Sequence, residues 1–336
     1  MALETVMETG LKHAFIFDGK GGGVVLNSWD AVKAWRAELG TLWVHLDFNC
    51  DDTKEWISEE CHFPEFIVDI LTDEDETRPR CVSYGDGVLV IFRLTNSLPG
   101  ADADDMSFVK LWVEKNRIVS IRSNPLSITR YIQRKINAGN GPVDVSTMLE
   151  ELSSGILDNI SETVSELEDS LDALEDKIID DYDRDVEDIQ DLINEVLEHR
   201  RQLSSLRRYL SPQRDAIDMI ARQTVSWLEK NSRDNIREDG QRMIRIIEDI
   251  NMLIEKTIIN MDELNSLRNE ASQKTINMLS VLATLFLPFT FLTGLMGINV
   301  GGIPFANHPN GFVIVCTIMS VLAAILYYFI KKIRWL

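Results

Sequence analysis

The chain has 336 residues, with 34 basic against 54 acidic side chains and a net charge of −20. Thr275 to Ile330 holds no Asp, Glu, Lys or Arg, and the terminal KKIRWL carries three basic residues, which leaves residues 1–274 with 31 basic against 54 acidic groups, net −23. So acidic a body lacks the basic footprint that phosphate binding needs, which argues against nucleic acid as a partner, and the charge-free stretch excludes a simple soluble protein.

The opening MALETVMETG has no basic segment leading into an apolar run, so it is not read as a secretory signal. Cys50, Cys61, Cys81 and Cys316 are scattered without a CxxC pair, which fits reduced thiols in a cytosolic body. Residues 1–141 read as an α+β domain. HAFIFDGKGGGVVL (13–26) and LWVHLDF (42–48) read as strands, followed by Val88–Leu94, Phe108–Val113 and Ile118–Arg122. Gly85-Asp86-Gly87 and Lys115-Asn116 mark turns between antiparallel strands. GKGGG (19–23) lacks the spacing and the Ser or Thr of a phosphate-binding loop, so it reads as a hairpin turn and no nucleotide partner is expected. Short helices are expected at Cys61–Leu71, started by Pro64, and at Pro125–Ile136.

After Gly141-Pro142 the pattern is helical. Residues 142–211 read as acidic antiparallel helices, with apolar seams at Leu167, Leu171, Leu174 and Ile178 and again at Val186, Ile189, Ile193 and Val196. Ser211-Pro212 reads as a stop and a new start. The spacing then predicts a continuous rod from Gln213 to Met296, roughly 120 Å long at 1.5 Å per residue. Residues 212–274 are read as the long stalk helix, expected to carry motion of the cytosolic domain into the membrane. From Glu162 to Glu198 the basic residues are Lys177 and Arg184 alone. Any single carboxylate there reads as a solvated outer face. The set, with Glu162, Glu166, Asp180, Asp181, Asp183 and Asp185, reads as a negative field that concentrates cations. Arg200, Arg201, Arg207 and Arg208 follow, to pair with these acids or to approach anionic lipid. His45 with Asp47, and Cys61 with His62, lack completing ligands and are assigned no metal role.

The charge-free stretch divides at Asn299 to Gly311, leaving spans at 275–296 and 312–330, each about the ~20 residues a bilayer-crossing helix requires. Arg268 and Lys274 precede the first span, and Lys331, Lys332 and Arg334 lie in the tail, 331–336. The loop 297–311 has no basic residue, so both termini are placed in the cytosol. Trp335 and Tyr327–Tyr328 suit an interfacial belt. Gln273, Asn277, Ser280 and Thr284 share one helical face. Such side chains face either a wet pore or a neighbouring helix, and spacing leaves both open. A pore needs a ring of about four or five such helices, hence a homo-oligomer in the bilayer. Amide and hydroxyl oxygens release a hydrated divalent cation readily, whereas clustered Cys and His would trap zinc. Cys316, alone in the second span, reads as a small buried hydrophobe.

Gly297-Ile298-Asn299 resembles the Gly-Met-Asn signature of CorA-type divalent cation channels, and the two C-terminal spans and the KKIRWL ending match that superfamily. The isoleucine, PFTFLTGLMGIN (288–299), RRYLSPQRD (207–215) and ETRPR (76–80) look like its ZntB zinc-transporter branch. The resemblance covers essentially the whole chain. It implies an αβα cytosolic domain with a mixed or antiparallel sheet, arranged as a CorA-like funnel on long stalk helices. It also implies a homopentamer with a pore lined by the first span, and Asn299 at the outer mouth. The branch implies Zn2+ transport coupled to protons, in a bacterial-type inner membrane, with no cofactor. Ile298 departs from the Gly-Met-Asn pattern and counts against magnesium selectivity. The outer loop also departs, lacking the acids common in CorA channels; its one titratable side chain is His308, for which a solvated ring is a commoner reading than a pH sensor or zinc ligand. The competing readings are a Mg2+, Co2+ or Ni2+ channel driven by membrane potential and a non-transporting coiled-coil scaffold or metal sensor. An enzyme fits least, because no nucleophile–base set or closed ligand cluster is present.

Overall fold

The computed structural model of the chain describes residues 9–95, 106–180, 186–298, 301, 303–304 and 309–332. It begins β1 (Leu11–Phe17), β2 (Gly23–Val25), α1 (Trp29–Lys33), β3 (Leu42–Asp47), α2 (Asp51–Glu59) and α3 (Glu65–Thr72). Strands β4 (Arg80–Tyr84), β5 (Gly87–Thr95), β6 (Met106–Glu114) and β7 (Arg117–Arg122) follow. Helices α4 (Ser127–Asn137), α5 (Val145–Asp180), α6 (Val186–Arg222), α7 (Lys230–Met296) and α8 (Gly311–Lys332) complete it.

The seven strands form one mixed sheet in the order β2-β1-β3-β7-β6-β5-β4. The expected β5-β6-β7 meander is antiparallel, whereas β3 and β7 pair in parallel, Leu42 opposite Arg117 and Asp47 opposite Arg122. The stretch 13–26 is a hairpin rather than one strand. Its turn is held by the Asp18 carboxylate, which accepts from the Lys20 and Gly22 N–H groups at 2.7 and 2.9 Å, and Gly19 and Gly21 take positive φ. Strand β4 escaped the pattern because it is an edge strand on which only Cys81 is buried. Leu42, Val44, Leu46, Trp112, Val119 and Ile121 cover one sheet face and pack on Val32, Trp56, Ile57, Ile67 and Leu71 of α1–α3. On the other face Phe15, Trp43, Val90, Phe92, Val109 and Leu111 are fully buried. Helix α6 ties to that side, where Gln213 Oε1 accepts from the Arg93 N–H at 2.7 Å.

Asp144 starts α5 through a reciprocal cap: its carboxylate accepts from the Thr147 N–H at 2.8 Å, and the Thr147 hydroxyl accepts from the Asp144 N–H at 3.1 Å. Of the expected seams, Leu167, Leu171, Leu174, Ile178, Ile189, Ile193 and Val196 are buried, while Val186, the first residue of α6, is exposed. Ser170 bonds His199 at 2.8 Å and Lys177 pairs with Glu195 at 3.3 Å, so α5 and α6 run antiparallel. Helix α7 runs parallel to α5: Arg242 meets Asp158 and Lys256 meets Asp172, each pair 84 positions apart.

The rod expected from Gln213 starts later. Helix α6 continues through Pro212 to Arg222, and α7 begins at Lys230, which makes it 67 residues, about 100 Å. An interior proline costs roughly 3 kcal/mol, but Leu206, Leu210 and Ile217 around it are fully buried, each contributing about 1.5–3 kcal/mol. The break falls instead at 223–229. There Ser226 donates from its N–H to Asp86 Oδ1 at 2.7 Å and Trp227 Nε1 donates to the Asp86 carbonyl at 2.7 Å. By contacts the chain forms two compact units, Met1–Glu175 with Val196–Ile259, and Asp176–Glu195 with Asn260–Leu336. The second unit holds α8 and the apolar part of α7, both long and apolar enough to cross a membrane.

Candidate functional site

The C-terminal part of α7 carries the polar face. Gln273 Nε2 donates to Asn277 Oδ1 at 2.9 Å, one turn on. Ser280 Oγ donates to the Ile276 carbonyl and Thr284 Oγ1 to the Ser280 carbonyl, both at 2.8 Å. Thr290 and Thr293 do the same toward Phe286 and Phe289, at 2.9 Å. Each hydroxyl commits its only proton to its own helix, so what it offers outward is oxygen lone pairs. A face of acceptors suits cations. Gln273, Asn277 and Thr284 are exposed and Ser280 is half-buried.

Pro288 lies inside α7 four residues after Thr284. Having no N–H, it leaves the Thr284 carbonyl without its helical donor. In hydrocarbon such a carbonyl is satisfied only by water, an ion or a neighbouring group. Thr284 therefore offers a hydroxyl and a main-chain oxygen at one level. The side-chain pattern alone missed this, though the Thr-x-x-x-Pro spacing was the signal.

Helix α7 closes where the Gly297 N–H donates to the Thr293 and Gly294 carbonyls at 3.0 and 3.1 Å. A Cβ at Gly297 would stand 3.3 Å from the Thr293 carbonyl oxygen, a tight fit. Ile298 is exposed. Asn299 and His308 lie outside the described residues, as do Asp181, Asp183 and Asp185.

The acids of α5 divide into two sets. Glu162 and Glu166 are exposed and, among the described residues, carry no ion pair. Asp180 is the last residue of α5. Other carboxylates are engaged: Asp158 with Arg242, and Asp172 and Glu175 with Lys256, all at 2.5 Å. Donating hydrogen bonds to Asp172 and then to Glu175 holds the Lys256 ammonium above its ordinary pKa. Part of the acidic excess thus clamps α5 to α7 rather than standing in a field. Of the basic cluster, Arg201 pairs with Glu198 at 2.8 Å and Arg208 donates to the Tyr209 hydroxyl at 2.7 Å.

Among the described residues no three His, Cys, Asp or Glu side chains stand together as metal ligands. His45 is fully buried, and burial, with Arg122 nearby, holds its pKa well below the ordinary value. Burial likewise pushes the Cys61 and Cys81 thiols up to about 12. These groups are packed as neutral core. A feature that periodicity did not signal is Lys110, fully buried, whose Nζ donates to the Ile70 carbonyl at 2.9 Å and to that of Asp73, capping α3.

Residues 38–332 match the family model described as CorA-like Mg2+ transporter protein. The divalent cation transporter CmaX of Pseudomonas aeruginosa is 30% identical over 336 residues, all of this chain and 99% of that protein. The zinc transport protein ZntB of Pectobacterium carotovorum is 31% identical over 331 residues, 98% of each. The structure of full-length CmaX superposes with a TM-score of 0.78 over 99% of this chain and 100% of that one. The CorA magnesium transporter of Methanocaldococcus jannaschii, at 22% identity, shares the fold with a TM-score of 0.78 over 96% of this chain and 98% of its own. A sheet domain, long helices and two C-terminal apolar helices therefore meet a match along nearly the whole sequence, and the chain belongs to the CorA-like family.

Proposed function

We propose that the chain carries divalent cations, Zn2+ foremost, across a bacterial-type inner membrane through a homopentameric pore lined by α7, by proton-coupled uptake and without enzymatic activity. The observation that carries this reading is the acceptor face from Gln273 to Thr284 on a helix apolar enough to span the bilayer. One such helix cannot enclose water, so the face is used only if several copies bring theirs together. Asn299 then stands at the outer mouth, and both termini lie in the cytosol by the charge asymmetry. The zinc assignment is supported by similarity to ZntB, and divalent cation transport by similarity to CmaX.

The second reading is a Mg2+ channel driven by membrane potential, favoured by the family description and by the likeness to a CorA fold. Flux into liposomes, measured for Zn2+ and Mg2+ with and without a pH gradient, decides. Zinc uptake that rises with the gradient supports the first reading. Zinc uptake indifferent to it removes proton coupling, and magnesium flux exceeding zinc flux selects the second.

A further inference from the structure

In the parallel seam between α5 and α7 one carboxylate sits in the core. Asp239 is 5% exposed, beside Ile236 and Met243, which are fully buried. Its cation is Arg242, one turn on, at 3.4 Å from Oδ1. That guanidinium is shared. Its other nitrogen binds Asp158 of α5 at 2.5 Å, and Nη1 also reaches the Ser154 hydroxyl at 3.3 Å. Asp239 Oδ2 and the Ser153 hydroxyl of α5 are both buried, and among the described residues neither has a hydrogen-bond partner. From α6, the Asp218 carboxylate lies against Gly240, where a Cβ would come within 2.6 Å of it. Arg134 of α4 lines a cavity together with Asp158 and Glu162 of α5. The groups around Asp239 are therefore one shared arginine, two further acids and two hydroxyls.

We propose that Asp239 is a proton-binding site that latches α5 to α7. The ionised carboxylate is a buried charge whose counter-ion is drawn away by Asp158, and the seam loosens. The protonated carboxyl removes that charge and gives the Ser153 oxygen a donor, and the seam closes. Burial, opposed in part by the Ser153 hydroxyl and Arg242, pushes the Asp239 pKa up from 3.8 to about 6, within reach of a bacterial cytosol under acid load. Since the folded value lies above the unfolded one, the native seam binds the proton more tightly, and stability falls as pH rises between those values. Because α7 continues from this seam to Met296, the latch addresses the helix that carries the polar face. The latch does not depend on which cation, if any, is carried.

The test is amide hydrogen exchange on the full chain in detergent between pH 5 and 7.5, corrected for intrinsic exchange and read in residues 150–160 and 234–245. With a pKa moving from 3.8 to about 6, local opening in the wild type rises about tenfold across that range. Asp239→Asn flattens the profile at the closed level. Arg242→Gln removes the cation, which raises the carboxyl pKa and moves the transition to higher pH. Asp158→Asn frees the arginine for Asp239 and moves the transition to lower pH. These opposite displacements are not what loss of packing produces, and because both side chains reach solvent they decide the matter even if Asp239→Asn fails to fold. A wild-type profile in Asp239→Asn, or displacements of the same sign in the other two, overturns the latch. The readout is protection rather than flux, so it fails or succeeds separately from cation transport.

Discussion

Replacing Asn277 by Leu tests the polar face where its geometry is best defined. Asn277 Oδ1 is oriented by the Gln273 amide at 2.9 Å, so the change deletes one aligned oxygen per copy and leaves Gln273 without its acceptor. A hydrogen-bonding contact with a charged group is worth about 1.5–3 kcal/mol. Placed on the barrier of a crossing ion, that loss slows flux about 10- to 150-fold, at roughly 1.4 kcal/mol per decade. Asn277→Ser, which keeps an oxygen at the same level, retains flux within about tenfold of wild type. The assay is divalent cation entry into liposomes loaded with a metal-sensitive dye, on variants matched for insertion and particle size. Thr317→Val on α8 serves as the control, since its hydroxyl donates to the Val313 carbonyl on its own helix. Flux through Asn277→Leu within about twofold of wild type would refute the assignment of this face to the ion path.

Pro288→Ala restores a helical donor to the Thr284 carbonyl; it raises the melting temperature while lowering flux, and the two read together separate a lost ligand from a lost fold. Lys110→Met changes the pH dependence of stability. Burial pushes the Lys110 pKa down from 10.5 to about 8, so the unfolded chain binds more protons in that window and the wild type gains stability as pH rises through it. Thermal melting at pH 7.5 and 9.5 then shows a wild-type gain of at most about 2 kcal/mol that the variant lacks. Gly155→Val destabilises the α4–α5 contact by about 1–3 kcal/mol, because even its Cβ would lie 2.1 Å from Ile128 Cδ1, and the melting temperature falls accordingly.

What was legible in the sequence was what neighbours along the chain decide. The charge-free stretch and its Gly-Pro-Asn interruption located both apolar helices, and turn residues located the β5-β6-β7 meander. The parallel pairing of β3 with β7 depends on a connection of about seventy residues and leaves no local mark beyond the run of buried residues from Leu42 to Leu46. Pro212 misled because its local cost is outweighed by the buried residues flanking it, and α7 starts where Asp86, from a distant turn, holds Ser226 and Trp227. The acids of α5 looked uniformly free because their partners lie 84 positions away on a helix whose register only the folded chain sets. The free Thr284 carbonyl, by contrast, was written in the sequence, since covalent chemistry alone makes Pro288 unable to donate.

The account stands on several copies of α7 placing their acceptor faces around one axis. Native mass spectrometry of the full chain released from detergent tests this most directly. A particle of five chain masses is the expected result, and a monomer under conditions that preserve cation flux would contradict it.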